Sequence, residues 1–394
     1  MRVWLWVFGA GMAMAASLTA AADVAPDPIR PPPPAPAQAP ELKAGYTVVE
    51  VAKGLDHPYS IAFLPDGSML VTERIGRLRL IKNGRLVDAP ITGVPPVHHR
   101  SQAGLFDIVL HPQFAQNGLV YLAYAHGTAQ ANATRVARAR FDGAALQDLK
   151  VIFEASPLKD TSNHYGGRIS FLPDGTFTLL VGDGFEYRES AQDLRTHLGK
   201  IVRLNDDGSV PQDNPYATGE NGAKPEIWSF GHRNQQGLAF DPQRLMLFEH
   251  EHGPQGGDEL NIIESGRNYG WPVITYGMDY SGAYVSPYKA RDGMEQPVVQ
   301  WTPSIAPSGL AIYYGDKFPQ WNGDAFVGAL AHKHLRRVDL DDRGGAVGEQ
   351  RLLTDLNERI RDVRVGPDGY IYVTTDYAAA EKPSGRVLRL EPAP

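Results

Sequence analysis

Cysteine does not occur anywhere in the 394 residues. That absence excludes a disulfide framework, a thiolate metal site and an acyl anchor on a lipobox cysteine, and it suits a bacterial periplasmic protein better than a small stapled extracellular scaffold. A basic surplus is missing too: 38 Lys and Arg stand against 45 Asp and Glu, a formal net charge of −7. Neither nucleic acid nor an anionic membrane is therefore an expected partner. Long apolar runs are confined to the start of the chain, where Val3 to Ala16 follows Arg2 and is too short for a comfortable membrane span. Ala20, Ala21 and Ala22 then precede Asp23, which makes residues 1–22 read as a secretory signal peptide, with delivery to the periplasm and no stable membrane insertion after cleavage. Arg2 is the only charge lost, so the mature net charge is about −8. Pro and Ala dominate residues 23–40, with four consecutive prolines from Pro31 to Pro34, as in an extended linker. The folded body is expected over residues 41–394.

Amphipathic helical segments are also lacking in that body. Short β-branched and aromatic runs take their place, such as Tyr46 to Val51, Ser68 to Thr72, Val120 to Tyr124 and Tyr370 to Thr374, separated by turn dipeptides. A unit recurs: an apolar strand, a Pro turn, then another apolar strand. It appears at Pro65, Pro112, Pro173, Pro242, Pro319 and Pro367. Six occurrences about sixty residues apart fit radial repetition of four-stranded blades better than a sandwich. The expected fold is all-β, a six-bladed β-propeller, with insertions carrying functional loops on one face.

The stretch from Trp228 to Trp271 packs chemically specific residues among glycines: WSFGHRNQQG, EHEHGPQGGDE and GRNYGWP. Arg233 beside Asn234 suits a planar ligand bearing several carboxylates, because a guanidinium pairs bidentately with carboxylate while an amide both donates and accepts. Gly253 and Pro254 precede Asp258 and Glu259; carbonyls exposed by glycine-rich turns, with carboxylates, are the ligands Ca²⁺ takes. On the residues alone, Asp258 and Glu259 would be direct ligands of one metal. His250 and His252 alternate beside them, but no third ligand nearby supports a transition-metal site.

These motifs and their order resemble the soluble pyrroloquinoline quinone (PQQ)-dependent aldose sugar dehydrogenases, relatives of soluble glucose dehydrogenase. The markers are QAGL at Gln102, HYGGR at His164, GDGF at Gly182, GHRNQQG at Gly231, EHGPQGGDE at Glu251, NYGWP at Asn268, WTPSIAPSG at Trp301 and RIRDV at Arg359. The resemblance runs from near Gly54 to Gly369 and implies a six-bladed propeller, in agreement with the repeat count.

The resemblance further implies a quinoprotein that oxidises the anomeric hydroxyl of aldoses to lactones, with PQQ and Ca²⁺ as cofactors and an electron acceptor that the sequence does not identify. His164 would be the base taking the hydroxyl proton, a task suited to imidazole, and Asp183 the carboxylate that fixes its tautomer. Arg233 would stabilise charge on the quinone oxygen, next to Asn234. Gln102, Arg359 and Arg361 would hold the cofactor; the two arginines alternate along a strand and so share a side. A solvated pair bonded to Glu358 and Asp362 is the competing reading. The carbonyls of Gly253 and Pro254 would hold the Ca²⁺ that bridges to PQQ, while Glu259 and the Tyr269 carbonyl would hold a second, structural Ca²⁺.

Two departures stand out. Gln235 replaces a proline of many relatives, and Ala331 falls where glucose dehydrogenase relatives carry a cofactor lysine, with Lys333 two positions on. Two other classes fit a propeller of this kind: a Ca²⁺-dependent lactonase-type hydrolase and a non-catalytic binding propeller. The arginine set argues against the first and a His164–Asp183 pair against the second. Tyr165, Tyr187 and Trp301 are candidates for stacking on a sugar ring.

Overall fold

The computed structural model describes residues 40–41, 45–377 and 383–394. The expected signal peptide and all of the expected linker but Pro40 lie outside the described residues. Six four-stranded antiparallel sheets supply the regular structure, with one four-residue α-helix, Phe114–Asn117, and four short 3₁₀ segments among the described residues. Blade 1 spans residues 58–86, blade 2 residues 105–154, blade 3 residues 169–230, blade 4 residues 234–301 and blade 5 residues 307–352. Blade 6 combines residues 359–392 with Tyr46–Leu55 as its outer strand. The first strand of each blade touches the first strand of the next, and blade 6 returns to blade 1. This is the expected six-bladed β-propeller.

All six Pro turns fall between the first and second strands of a blade. In the Pro65 turn the Gly67 amide donates to the Leu64 carbonyl at 3.0 Å, Asp66 accepts from the Ser68 amide at 3.0 Å, and Gly67 takes φ 80°. Proline presets the first corner, aspartate ties the backbone and glycine supplies the left-handed residue. Pairing of Tyr46–Leu55 with Gly385–Pro392 joins the two ends of the chain in one blade, which closes the ring.

Blades pack through apolar faces, as where Tyr121 of blade 2 meets Phe171 and Phe177 of blade 3 at ring separations of 5.1 and 5.6 Å. Around the axis the contacts are ionic. Arg168, just before blade 3, lies 2.9 Å from Asp362 of blade 6, and Arg364 bridges Asp362 and Asp107 of blade 2 at 2.9 and 2.7 Å. Ser60 of blade 1 donates to Asp107 at 2.5 Å. These groups are buried or nearly so, and each charge is paired, as burial requires.

The innermost strands are not regular. Pairing with the second strand slips between Pro58 and Ser60, Leu105 and Ile108, Gln235 and Gly237, Pro307 and Leu310, and Ile360 and Asp362. A bulge of this sort leaves a residue unpaired and re-aims its side chain.

Candidate functional site

Those slips sit around a cavity of about 230 Å³ at the axis. Tyr59, Phe106, Gln236 and Arg361, each a residue skipped by the pairing, line it, together with Gln102, Asn234 and Arg359. Four of the expected cofactor residues are thus brought to one place. Arg74, which the sequence reading missed, joins them. Its signal was weak: a lone arginine after the strand Met69–Glu73, with no motif around it.

The charge balance of this cavity is unusual. Arg361 pairs with Asp376 at 3.0 Å, yet among the described residues Arg74 and Arg359 make no salt bridge. Arg74 donates to the Ser101 carbonyl at 2.7 Å and Arg359 to the Leu330 carbonyl at 3.3 Å. Burial first, and then the Arg361 charge, hold both guanidiniums below their ordinary range. Glu358 and Asp362, the partners that a solvated edge would use, are taken by Arg386 and by Arg168 with Arg364. Uncompensated guanidiniums converging on a cavity fit an anion bearing several carboxylates. Lys333 is exposed in the turn before His334–Leu340 and is not among the residues lining the cavity; Arg74 stands there instead as a further cation.

Next to this cavity lies a buried imidazole–carboxylate pair. His164 Nδ1 and Asp183 Oδ1 are 2.6 Å apart, and both residues are at most 3% exposed. Trp271 Nε1 donates to Asp183 Oδ2 at 2.8 Å, the Phe185 amide donates to Oδ1 at 2.9 Å, and the His164 amide donates to Gln102 Oε1 at 2.9 Å. Burial is the main influence lowering the His164 pKa, and the Asp183 charge opposes it. Burial would raise Asp183, but His164 and Arg233 bring it below the ordinary value. An ionised carboxylate only accepts, so the neutral imidazole carries its proton on Nδ1 and leaves Nε2 as an acceptor. The loop can approach because residue 182 is glycine: a Cβ there would meet the His164 carbonyl at 2.5 Å.

Arg233 is buried over the Trp271 ring at 5.2 Å and donates through Nη1 to the carbonyls of His252 and Gly253 at 2.9 and 2.8 Å. Its Nε is buried without a hydrogen-bond partner. A small cavity alongside is lined by Arg233, Glu251, Gly253, Glu259 and Tyr269 among others, so three of the four expected metal residues share one space; Pro254 is buried beside them.

On the same face of blade 4, Glu251 opposes Glu259 and Glu249 opposes Asn261. Burial and then repulsion from Glu251 push Glu249 and Glu259 well above the usual carboxylate range. Glu249 Oε1 is buried without a partner, and ligand atoms of His232, Glu249 and Glu251 lie within 4.8 Å of one another. Oxygen donors in such excess fit a hard divalent cation of the Ca²⁺ kind. The other metal candidates are occupied. Asp258 accepts from Ser304 and from the amides of Gly253, Ile305 and Ala306, which makes it a loop clamp. His250 and His252 face the carbonyls of Gly309 and Pro307.

The stacking candidates change as well. Tyr165 is buried with its OH on Asn132 yet lines the axial cavity, Trp301 is buried with Nε1 on Glu349 away from it, and Tyr187 is tied to Asp160.

A propeller with a cationic axial cavity, a buried imidazole–carboxylate pair and an adjoining oxygen-rich pocket has the parts of an enzyme site rather than of a plain scaffold. The family model described as "Glucose / Sorbosone dehydrogenase" matches residues 55–389, and the chain belongs to that family of oxidoreductases. The aldose sugar dehydrogenase YliI of Escherichia coli is 45% identical over 345 residues, covering 86% of this chain and 91% of that protein. The crystal structure of the soluble E. coli aldose sugar dehydrogenase in its apo form superposes with a TM-score of 0.84 at 42% identity, over 88% of this chain and all of the other. The PQQ-bound aldose sugar dehydrogenase of Streptomyces coelicolor gives 0.71 at 30% identity, over 90% of this chain and all of that one. Among the described residues no helix is long and apolar enough to cross a membrane.

Proposed function

We propose that this chain is a periplasmic quinoprotein that oxidises the anomeric (C1) hydroxyl of aldose sugars to lactones with PQQ and Ca²⁺ as cofactors. The observation that carries the reading is the axial cavity, where Arg74, Arg359 and Arg361 converge with one carboxylate partner between them, beside the His164–Asp183 pair. The aldose sugar dehydrogenase relatives, one of them with PQQ bound, support it. Export to the periplasm rests on the first 22 residues alone.

Bound PQQ supplies a two-electron, hydride-accepting quinone, and Ca²⁺ supplies a Lewis acid that polarises it. Arg74, Arg359 and Arg361 hold the cofactor's carboxylates, with Gln102 and Asn234 as amide partners. The carbonyls of Gly253 and Pro254 hold the cofactor-side Ca²⁺; Glu259 and the Tyr269 carbonyl hold a second, structural one. His164 Nε2 takes the proton of the anomeric hydroxyl, and Asp183 keeps the imidazole in the required tautomer and stabilises the imidazolium that forms. Arg233 stands by the metal-side carbonyls, where its charge offsets negative charge developing in the reaction.

The test is reduction of an artificial dye by purified apo-protein with an aldose, with and without added PQQ and Ca²⁺. Activity that requires both is the expected result. No activity across a broad sugar panel, with no PQQ bound, would overturn the reading and favour a lactonase or a binding propeller.

A further inference from the structure

The residues expected to stack on sugar are buried or tied down, yet an exposed aromatic trail leads outward from the base. Phe185 is 38% exposed, and its ring stands edge-on to the His164 ring at 5.1 Å and 89°. Tyr280, 62% exposed, follows at 6.4 Å from Phe185. Neither ring is placed casually. Phe185 holds φ 73°, a conformation that bulky residues avoid unless their surroundings impose it, and its amide is tied to Asp183. Tyr280 rides on a turn closed by Asp279 and Gly282, whose base pairs Met278 with Gln255 beside the Gly253–Pro254 segment. Asp279 also reaches Arg188, three residues beyond Phe185, at 3.7 Å.

Clustered exposed aromatics call for an occupant. Pyranose rings present C–H faces that pack on aromatic rings, and the trail starts at the group that would meet the anomeric hydroxyl. We infer that Phe185 and Tyr280 form an outward subsite for the second and later rings of a reducing oligosaccharide, whose first ring is oxidised at His164. This inference rests on the dehydrogenase reading. The trail's direct contact with His164 favours a glycan over a protein acceptor as the occupant.

The test compares glucose, maltose and maltotriose on the PQQ- and Ca²⁺-loaded enzyme, wild type against Tyr280→Ala. The variant is expected to keep kcat/KM for glucose and to lose about tenfold for maltotriose, through KM. Phe185→Leu, which keeps the backbone amide, is expected to show the same ordering. Saturation-transfer NMR of maltotriose should show magnetisation transfer to its outer rings in wild type and none in Tyr280→Ala. Equal effects on all three sugars would overturn the subsite and point to acceptor docking. Should wild type oxidise no sugar, the dehydrogenase reading fails, and the NMR result alone decides the subsite: outer-ring transfer that disappears in Tyr280→Ala upholds it, and transfer that is absent from wild type or unchanged in the variant overturns it.

Discussion

Replacing Asp183 by Asn preserves shape while removing charge and one acceptor, and its consequence can be worked from three bonds. Asp183 accepts from His164 Nδ1 and the Phe185 amide through Oδ1 and from Trp271 Nε1 through Oδ2. Asparagine has a single oxygen to offer. If that oxygen faces His164, the buried Trp271 N–H meets an amide NH₂, and a charged hydrogen bond worth about 1.5–3 kcal/mol becomes a neutral one worth about 0.5–1.5 kcal/mol, a loss of about 5- to 13-fold in kcat. If it faces Trp271, the NH₂ donates to His164 Nδ1 and forces the proton onto Nε2, so the base cannot accept, at a cost on the order of 10⁴-fold. The variant should therefore lose at least about fivefold in kcat while binding PQQ as before.

The pH profile gives a second readout for this variant. The base works when neutral, so kcat/KM falls as pH drops through the His164 pKa, which already lies below its ordinary value. Asp183 raises that pKa. Its neutralisation must move the acid limb to lower pH even as the plateau falls. Steady-state dye reduction from pH 4 to 8, roughly the range around the imidazole pKa, measures both. An acid limb that stays put or moves up would refute His164 as the base held by Asp183.

Arg74→Ala should weaken PQQ binding to the apo-protein by about tenfold or more, the scale of one charge-assisted bond, whereas Lys333→Ala should leave it unchanged; calorimetric titration separates them. Replacing Arg359 and Arg361 together by Ala should weaken it further, and unchanged affinity would restore the solvated-edge reading. Ca²⁺ at about a hundredfold above its Kd should stabilise the wild type by about 2.7 kcal/mol in thermal melts, with a smaller gain in Glu259→Gln and reversal by a chelator; equal gains would remove Glu259 as a ligand. Gly182→Ala drives a methyl into the His164 carbonyl, so kcat should fall while PQQ affinity holds, and an unaltered kcat would show that the loop has room to shift.

The blade count was legible because each first hairpin carries its own turn chemistry, and Pro65, Pro173 and Pro367 mark it with the same Pro-Asp-Gly sequence. Closure was not: the strand from Tyr46 reads as a strand, but nothing in its composition says that it pairs with residues more than three hundred positions away. The site was legible where residues sit in ordered motifs, as with His164, Arg233 and Arg359. Arg74 and Gln236 were missed because ring geometry, not spacing, brings them to the cavity. Asp258 misled on residues alone, since an acidic pair beside glycines reads as a metal ligand until four donors are seen to converge on one member of it. Trp301 misled for a related reason: whether an aromatic ring packs inward or faces a ligand depends on the neighbouring blade, and Tyr165, though buried, does line the axial cavity.

The slips in the innermost strands connect these failures to function. In a regular strand, alternation would send Arg361 and Asp362 to opposite faces and bind both into the sheet ladder. The slip between Ile360 and Asp362 frees Arg361 from the ladder, so Asp362 serves the axial ion network while Arg361 lines the cavity next to it. Tyr59 repeats the pattern one blade on: skipped by its pairing, it packs against the guanidiniums of Arg168 and Arg361 at 4.6 and 5.4 Å. One set of strands thus both locks the blades together and presents Arg359 and Arg361 to the cavity. Because the ion network fixes the backbone that carries them, the cavity's arginines are held in place before any ligand arrives, and like charges that would otherwise splay apart stay converged. Preorganisation of this kind stores repulsion in the cofactor-free state that an anion relieves on binding. It follows that shortening Arg359 to an apolar residue should raise the melting temperature of the cofactor-free protein while lowering its affinity for PQQ. A melting temperature that falls instead would mean that the arginines are held by contacts of their own rather than by the ring.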